Sequence, residues 1–145
     1  MDEDLKNNFI IDDNPNEARI EGYIKRLMPY CKTTKTGAIV YGLETLGTLD
    51  KIKSALVARY LANFIEPSIS AEINHEEFFN IVDIPKNQLR ARLKDVRKDK
   101  FATSGTNGYK VKPQEINKFL TKLADKYGKT ETKWLFSTWG SGCLE

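Results

Sequence analysis

Four prolines set the bounds of the regular structure that this chain of 145 residues can form. Pro29, Pro67 and Pro85 each stand at the end of an apolar pattern, and Pro113 stands at the start of one. A proline inside a helix removes an amide donor and clashes with the preceding turn, whereas the first helical turn tolerates it. The positions of these prolines therefore predict separate short helices that end or begin there.

Apolar residues between the prolines recur every three or four positions, which is the spacing of one helix face. In the stretch that ends at Pro67, for example, Ile52, Leu56, Tyr60 and Phe64 repeat every four residues. The spacing predicts helices over residues 18–30, 48–66, 75–82, 86–100 and 113–128, and a short strand over 38–41.

A β-hairpin is predicted directly after the helix at 86–100. The pair Asn107-Gly108 is a strong turn signal, because both residue types accept a positive φ. Apolar and polar residues alternate on either side of this turn. Lys110 and Lys112 are then expected on one face of the second strand, where they suit contacts with phosphates.

Two short predicted helices joined by a tight turn occupy residues 74–96, and the hairpin places Phe101 and Val111 in its strands. This arrangement resembles the winged helix-turn-helix superfamily, and the resemblance covers residues 48–128. It implies a mainly α fold with a small β-hairpin wing, an α+β class, and binding to double-stranded DNA. The apolar positions that carry the resemblance are Phe78, Ile84, Leu89, Leu93 and Val96.

Two positions depart from the usual pattern of that superfamily. Phe79 stands where a small residue commonly lets the two helices approach, which predicts a wider crossing or a shift in register. Asp83 stands where glycine often caps the first helix, and aspartate tolerates the left-handed conformation.

Positive charge is concentrated in residues 85–112, which carry nine basic and two acidic side chains, whereas the whole chain has a net charge of only +3. On a wheel of 100° per residue, the helix at 86–100 buries Leu89, Leu93 and Val96 and turns its basic side chains outward around the small Ala91. Such a face can lie close in a major groove, where Arg, Lys and Asn reach base edges or phosphates. The predicted DNA-binding residues are Lys86, Asn87, Arg90, Ala91, Lys94, Arg97, Lys98, Lys110 and Lys112.

The remaining residues predict three flanking regions around the domain at 48–128. Residues 1–17 hold six acids and one lysine and are expected to form a mostly disordered arm. Residues 18–47 predict a helix-strand extension. Residues 129–145 form an aromatic tail with Trp134 and Trp139, and its Gly- and Ser-rich end is typical of a linker.

Several classes of protein are disfavoured by what the chain lacks. Cys31 and Cys143 are too few for a disulfide framework, and His75 is the single histidine, which leaves too few ligands for a zinc site. No phosphate-binding, nucleophile-elbow or zinc-protease motif occurs. No apolar run spans a membrane, and the N-terminal residues lack a basic leader. We therefore expect a cytoplasmic protein with no catalytic residues, no cofactor and no metal.

The favoured function is sequence-dependent binding of double-stranded DNA, as a transcriptional regulator or a DNA-maintenance factor. The alternative is a winged-helix protein–protein interaction module within a larger nucleic-acid-processing assembly, in which the basic face meets an acidic partner. A weaker alternative is a nuclease that uses acids such as Asp95 and Asp99. A fourth possibility is that the basic face is merely solvated.

A homodimer is expected, because one winged helix offers a small interface with DNA and two copies double the phosphate contacts. The apolar groups outside 48–128 supply candidate surfaces for it, or for a protein partner. These are the helix at 18–30, the strand at 38–41 and the tail aromatics Trp134, Phe136 and Trp139. Folding back of these groups onto their own domain is the competing outcome.

Overall fold

The computed structural model describes residues 1–10 and 16–128. Over these residues the chain forms helices and two small antiparallel hairpins, a mainly helical α+β fold, as the sequence predicts. The helices are α1 (Glu3–Phe9), α2 (Glu17–Leu27), α3 (Thr48–Ile65), α4 (His75–Ile81), α5 (Lys86–Lys98) and α6 (Ile116–Tyr127), and the strands are β1 (Cys31–Thr33), β2 (Ile39–Tyr41), β3 (Ala102–Ser104) and β4 (Tyr109–Val111).

Asparagine side chains begin two of these helices. The Oδ1 atom of Asn16 accepts a hydrogen bond from the Arg19 amide at 2.9 Å, and Asn74 accepts one from the Glu77 amide at 2.9 Å. Each bond satisfies an amide that the first helical turn leaves without an acceptor. The cap at Asn74 sets where α4 begins, and therefore how it enters the core.

The first hairpin pairs β1 with β2, placing Cys31 opposite Tyr41. The strand β2 is predicted from the sequence, but residues 31–37 are interpreted there as a turn. The turn interpretation is wrong for the residues that form β1. Strand β1 has only three residues, too few for an alternating pattern to mark it, and its pairing with β2 determines the strand. Gly37 has a φ of 90° in the connecting loop, a conformation that favours glycine.

The second hairpin pairs β3 with β4 and confirms the predicted turn. Ile73 forms an isolated antiparallel bridge to β4, since its amide and carbonyl each bond to those of Tyr109 at 2.9 Å. Gly108 has a φ of 145°, and a Cβ atom there would overlap the Ile73 backbone. Glycine is therefore required where the hairpin meets the segment that leads into α4.

Helix α3 lies at the centre of the core, and its residues 54–59 are all buried. The predicted apolar stripe is right for its first half and wrong for its end. Phe64 is 46% exposed and Ile65 is 65% exposed. The reason is geometric, because each four-residue step turns about 40° further round the helix and carries Phe64 away from the core.

The segment before α3 packs on the same core. Ile20, Tyr23 and Leu27 of α2 are buried against α3 and α6, and Tyr30 and Tyr127 place their ring centroids 6.4 Å apart. The apolar face of the helix predicted at 18–30 therefore folds back onto its own chain. It is not available as the dimer surface that the sequence suggested.

The N-terminal acidic residues contain helix α1, although the sequence predicts a mostly disordered arm. Asp2 caps the helix by accepting from the Asp4 amide at 3.1 Å, and Lys6 pairs with Glu3 at 3.7 Å. The seven helical residues bury no side chain, so the contacts given for this helix are local ones, the cap and one exposed ion pair. The tail aromatics Trp134, Phe136 and Trp139 lie outside the described residues.

Within the described ranges, no helix has both the length and the apolar character needed to cross a membrane.

Candidate nucleic-acid interface

Helix α5 divides into a buried stripe and an exposed basic face. Leu89, Leu93 and Val96 are buried against the core, which confirms the predicted stripe. The rest of the predicted face points to solvent, because one-sided burial leaves the opposite side of an amphipathic helix in water. All seven predicted residues of this helix are exposed: Lys86, Asn87, Arg90, Ala91, Lys94, Arg97 and Lys98.

The cations of this face are not neutralised by the rest of the described chain. The ion pair within α5 joins Arg92 to Asp95 at 3.5 Å, on the flank away from Arg90. Across residues 1–10 and 16–128, none of Lys86, Arg90, Lys94, Arg97 and Lys98 takes part in an ion pair. The face therefore keeps its positive potential, which is the property needed to attract phosphates.

The end of α5 is fixed by a backbone motif. Lys100 adopts a φ of 62°, its amide donates to the Arg97 carbonyl at 3.0 Å, and the Phe101 amide donates to the Val96 carbonyl at 3.2 Å. These two bonds satisfy carbonyls that the last helical turn would leave unpaired. The chain thereby reverses directly from α5 into β3, so the hairpin follows α5 without a long loop.

The predicted alternation appears in the burial of β4, since Tyr109 and Val111 are buried and Lys110 is exposed. Lys112 is predicted on the same strand face, but it lies one residue after β4 and is half-buried. The helix face and the wing belong to two elements, α5 and β4, which β3 connects along the chain.

A cleft of about 610 Å³ opens between α4 and the first turns of α5. Phe79 lines it and is 40% exposed, while the neighbouring Phe78 is fully buried against Tyr109. The core position thus belongs to Phe78, which explains the unusual bulky residue at Phe79. Asp83 does not adopt the left-handed conformation that the sequence allowed, because Val82 ends α4 in an extended conformation.

The buried Arg59 contacts several of the segments that position α4, although sequence reasoning did not single it out. The side chain is 6% exposed and donates to Glu77 Oε2 at 2.7 Å, to the Ser70 carbonyl at 2.6 Å and to the Gly37 carbonyl at 3.1 Å. One guanidinium group thereby ties α3, the loop before α4 and the first hairpin. A signal was available, because Arg59 lies in the middle of the apolar stripe of α3, where an unpaired charge would be very costly.

Groups with raised pKa values lie away from the basic face of α5. Burial raises the pKa of the Cys31 thiol and of the Tyr41 hydroxyl in the first hairpin. The Asp50 carboxylate accepts a hydrogen bond from Lys126 at 3.0 Å and raises the pKa of that ammonium group. Among the described residues, no group of three or more His, Cys, Asp or Glu side chains is placed to hold a metal ion.

Comparison of the chain with protein-family models, with curated proteins and with solved structures found no match.

Proposed function

We propose that the protein binds double-stranded DNA through a winged helix-turn-helix, with α5 as the recognition helix and β3–β4 as the wing. The order of elements supports this assignment: α3, α4, α5 and then the hairpin, which Ile73 bridges from the segment before α4. Two helices that meet through a tight turn, followed by a hairpin, are the parts that such a domain uses on DNA.

The single observation that carries the proposal is the exposed face of α5, where Lys94 and Lys98 lie on the same side as the small Ala91 and form no ion pair within residues 1–10 and 16–128. Asp95 also borders Ala91, and it pairs with Arg92 at 3.5 Å. A small side chain at this point lets the helix lie close to the base edges in the major groove. Arg90 and Lys94 flank this centre within one turn, so one can reach a base edge while the other contacts a phosphate. Asn87 adds an amide that can form two hydrogen bonds with the major-groove edge of an adenine.

The wing supplies phosphate contacts that do not depend on sequence. Lys110 projects from the exposed side of β4, opposite Thr103 in the hairpin register. Lysines on a hairpin of this kind add affinity and fix the orientation of the helix on the duplex. The domain would then serve in the cytoplasm as a transcriptional regulator or a DNA-maintenance factor.

A homodimer remains part of this proposal, with a changed basis. The face of α2 is buried in its own chain, so the support within the described residues comes from Val40 on β2, which belongs to the predicted strand at 38–41, and from Phe64 and Ile65 at the end of α3, all of which are exposed. Exposed apolar side chains of this size favour contact with a second copy. Sedimentation equilibrium of the full chain tests this, since a monomer at tens of micromolar would overturn it.

The testing experiment is a titration of labelled duplex DNA with the full chain, at about 50 mM and about 200 mM salt, with random competitor DNA. Log affinity is expected to fall linearly with log salt, by roughly 0.9 for each phosphate neutralised. The same titration with an acidic polypeptide tests the alternative protein-interaction module. Tight binding of the polypeptide, together with no measurable binding of duplex, would overturn the DNA proposal.

A further inference from the structure

We propose that the cleft between α4 and α5 binds a nucleotide, with its base against Phe79 and its phosphate at Lys86 and Arg90. The site goes beyond the proposed DNA contact, because it takes one base and its phosphate rather than the surface of a duplex. Its volume of about 610 Å³ lies within the range of small-molecule sites.

The α5 wall of the cleft provides the phosphate contact. Lys86 and Arg90 are four residues apart and therefore project from the same side of the helix, one turn from each other. Both are exposed, and both line the cleft. An ammonium and a guanidinium group at this spacing suit a phosphate, which Arg can bind with two parallel hydrogen bonds.

The aromatic contact comes from Phe79 on α4. Its ring is large enough to stack a base, and 40% of the side chain is exposed although the core offers Phe78 instead. Lys86 Nζ lies over this ring, 5.2 Å from its centre, so a base stacks on that face once the flexible lysine side chain turns from the ring to the phosphate. Stacking of a base on an aromatic ring strengthens binding by roughly fivefold to 150-fold.

Two polar side chains on the α4 wall determine the orientation of the ligand in the cleft. Glu76 and Asn80 are four residues apart on α4 and share one side of that wall. The Glu76 carboxylate repels phosphate but accepts a hydrogen bond from an exocyclic amino group. The Asn80 amide can both donate a hydrogen bond to a base and accept one from it. The acid on α4 and the cations on α5 therefore favour a ligand with an amino-bearing base at one end and an anion at the other. Adenine, cytosine and guanine nucleotides fit this description, and thymine nucleotides lack the amino group.

This chemistry has two sources, a free nucleotide and an unpaired nucleotide at the end of a DNA strand. Lys86 and Arg90 belong both to the cleft and to the exposed face of α5, so a free nucleotide and duplex DNA would compete for them. An unpaired strand end would instead bind together with its own duplex.

The test is calorimetric titration of the full chain with dAMP, with dTMP, and with adenosine and inorganic phosphate as partial ligands. We expect dAMP to bind about tenfold or more tightly than either partial ligand, and more tightly than dTMP. Phe79→Ala and Arg90→Ala should each weaken dAMP binding by about tenfold. Lys122→Ala, an equal charge change at an exposed position of α6 outside the cleft, is the control and should leave it unchanged. No binding of dAMP at about 1 mM, or equal binding by wild type and Arg90→Ala, would overturn the proposal.

The two sources are distinguished with blunt duplex and with duplex that carries a few unpaired adenines. Displacement of both duplexes by dAMP indicates a free nucleotide. Tighter binding of the tailed duplex, lost in Phe79→Ala, indicates a strand end. If dAMP binds while neither duplex does, the nucleotide site is supported and the proposed DNA function is overturned. If blunt duplex binds and dAMP does not, the DNA function is supported and the nucleotide site is overturned.

Discussion

The guanidinium group of Arg59 lies 2.7 Å from the Glu77 carboxylate and places the start of α4 against the middle of α3. Arg59 also donates to carbonyl groups of Gly37, Ser70 and Glu72, so that four separate segments meet at one buried cation. The position of α4, and with it the cleft and the turn into α5, depends on this contact.

Replacing Arg59 by Met should lower the free energy of unfolding by about 3 kcal/mol or more, because a half-exposed carboxylate and several carbonyls lose their donor. Urea denaturation measures the change. Arg92→Met is the matched control, since its ion pair with Asp95 is exposed and contributes at most about 0.5 kcal/mol. A loss below about 1 kcal/mol for Arg59→Met would show that this contact does not organise the fold.

Lys100→Gly is expected to stabilise the protein by about 0.5–1 kcal/mol. Lys100 has a φ of 62°, a conformation that costs a residue with a side chain about 1 kcal/mol or more and that glycine adopts freely. Lys94→Gly, on the exposed middle of α5, should instead destabilise by about 1 kcal/mol. Thermal unfolding of the two variants gives shifts of opposite sign. A lower melting temperature for Lys100→Gly would contradict the assigned end of α5.

The stability of the protein should fall as the pH rises above about 8.5, in part because of Cys31. Burial raises the pKa of this thiol, so the folded state keeps the proton while the unfolded state releases it. Ionisation then favours the unfolded state, and the free energy of unfolding falls by about 1.4 kcal/mol per pH unit from this group. Denaturation between about pH 8 and about pH 10 should show a shallower dependence for Cys31→Ala. Equal slopes would mean that the thiol ionises in the folded state.

Much of the fold could be predicted from the sequence where one pattern determines one element. The stripe of Leu89, Leu93 and Val96 and the turn at Asn107-Gly108 both appear in the structure as predicted. Strand β1 is not predicted, because it is only three residues long and runs directly into the polar loop that ends at Gly37, so no alternating pattern marks it.

The same distinction applies to the candidate site, between what one element's pattern predicts and what depends on contacts between elements. The exposed face of α5 follows from the helical period alone, since burying one side determines the other. The cleft beside Phe79 depends on the crossing of α4 and α5, and the partners of Arg59 are carbonyls from two other segments, the loop at Gly37 and the loop before α4. Neither arrangement is encoded within one element, so the sequence pattern does not predict the cleft or the partners of Arg59.

Changing both Lys110 and Lys112 to Gln should reduce DNA affinity about equally for every duplex sequence. The two lysines are assigned to phosphates, so the slope of log affinity against log salt should flatten by about two units or less. Titrations of two unrelated duplexes at several salt concentrations measure this. A loss confined to one duplex would mean that the wing reads base edges instead.

The central claim is tested most directly by the DNA affinity of the double variant Arg90→Ala, Lys94→Ala, compared with Lys118→Ala, Lys122→Ala on α6. The two variants remove the same charge from exposed positions, so both should keep wild-type thermal stability within about 0.5 kcal/mol. We predict a loss of about tenfold or more for the α5 variant and little change for the α6 variant. Equal affinities of the two variants for duplex DNA would contradict the assignment of α5 as the helix that binds DNA.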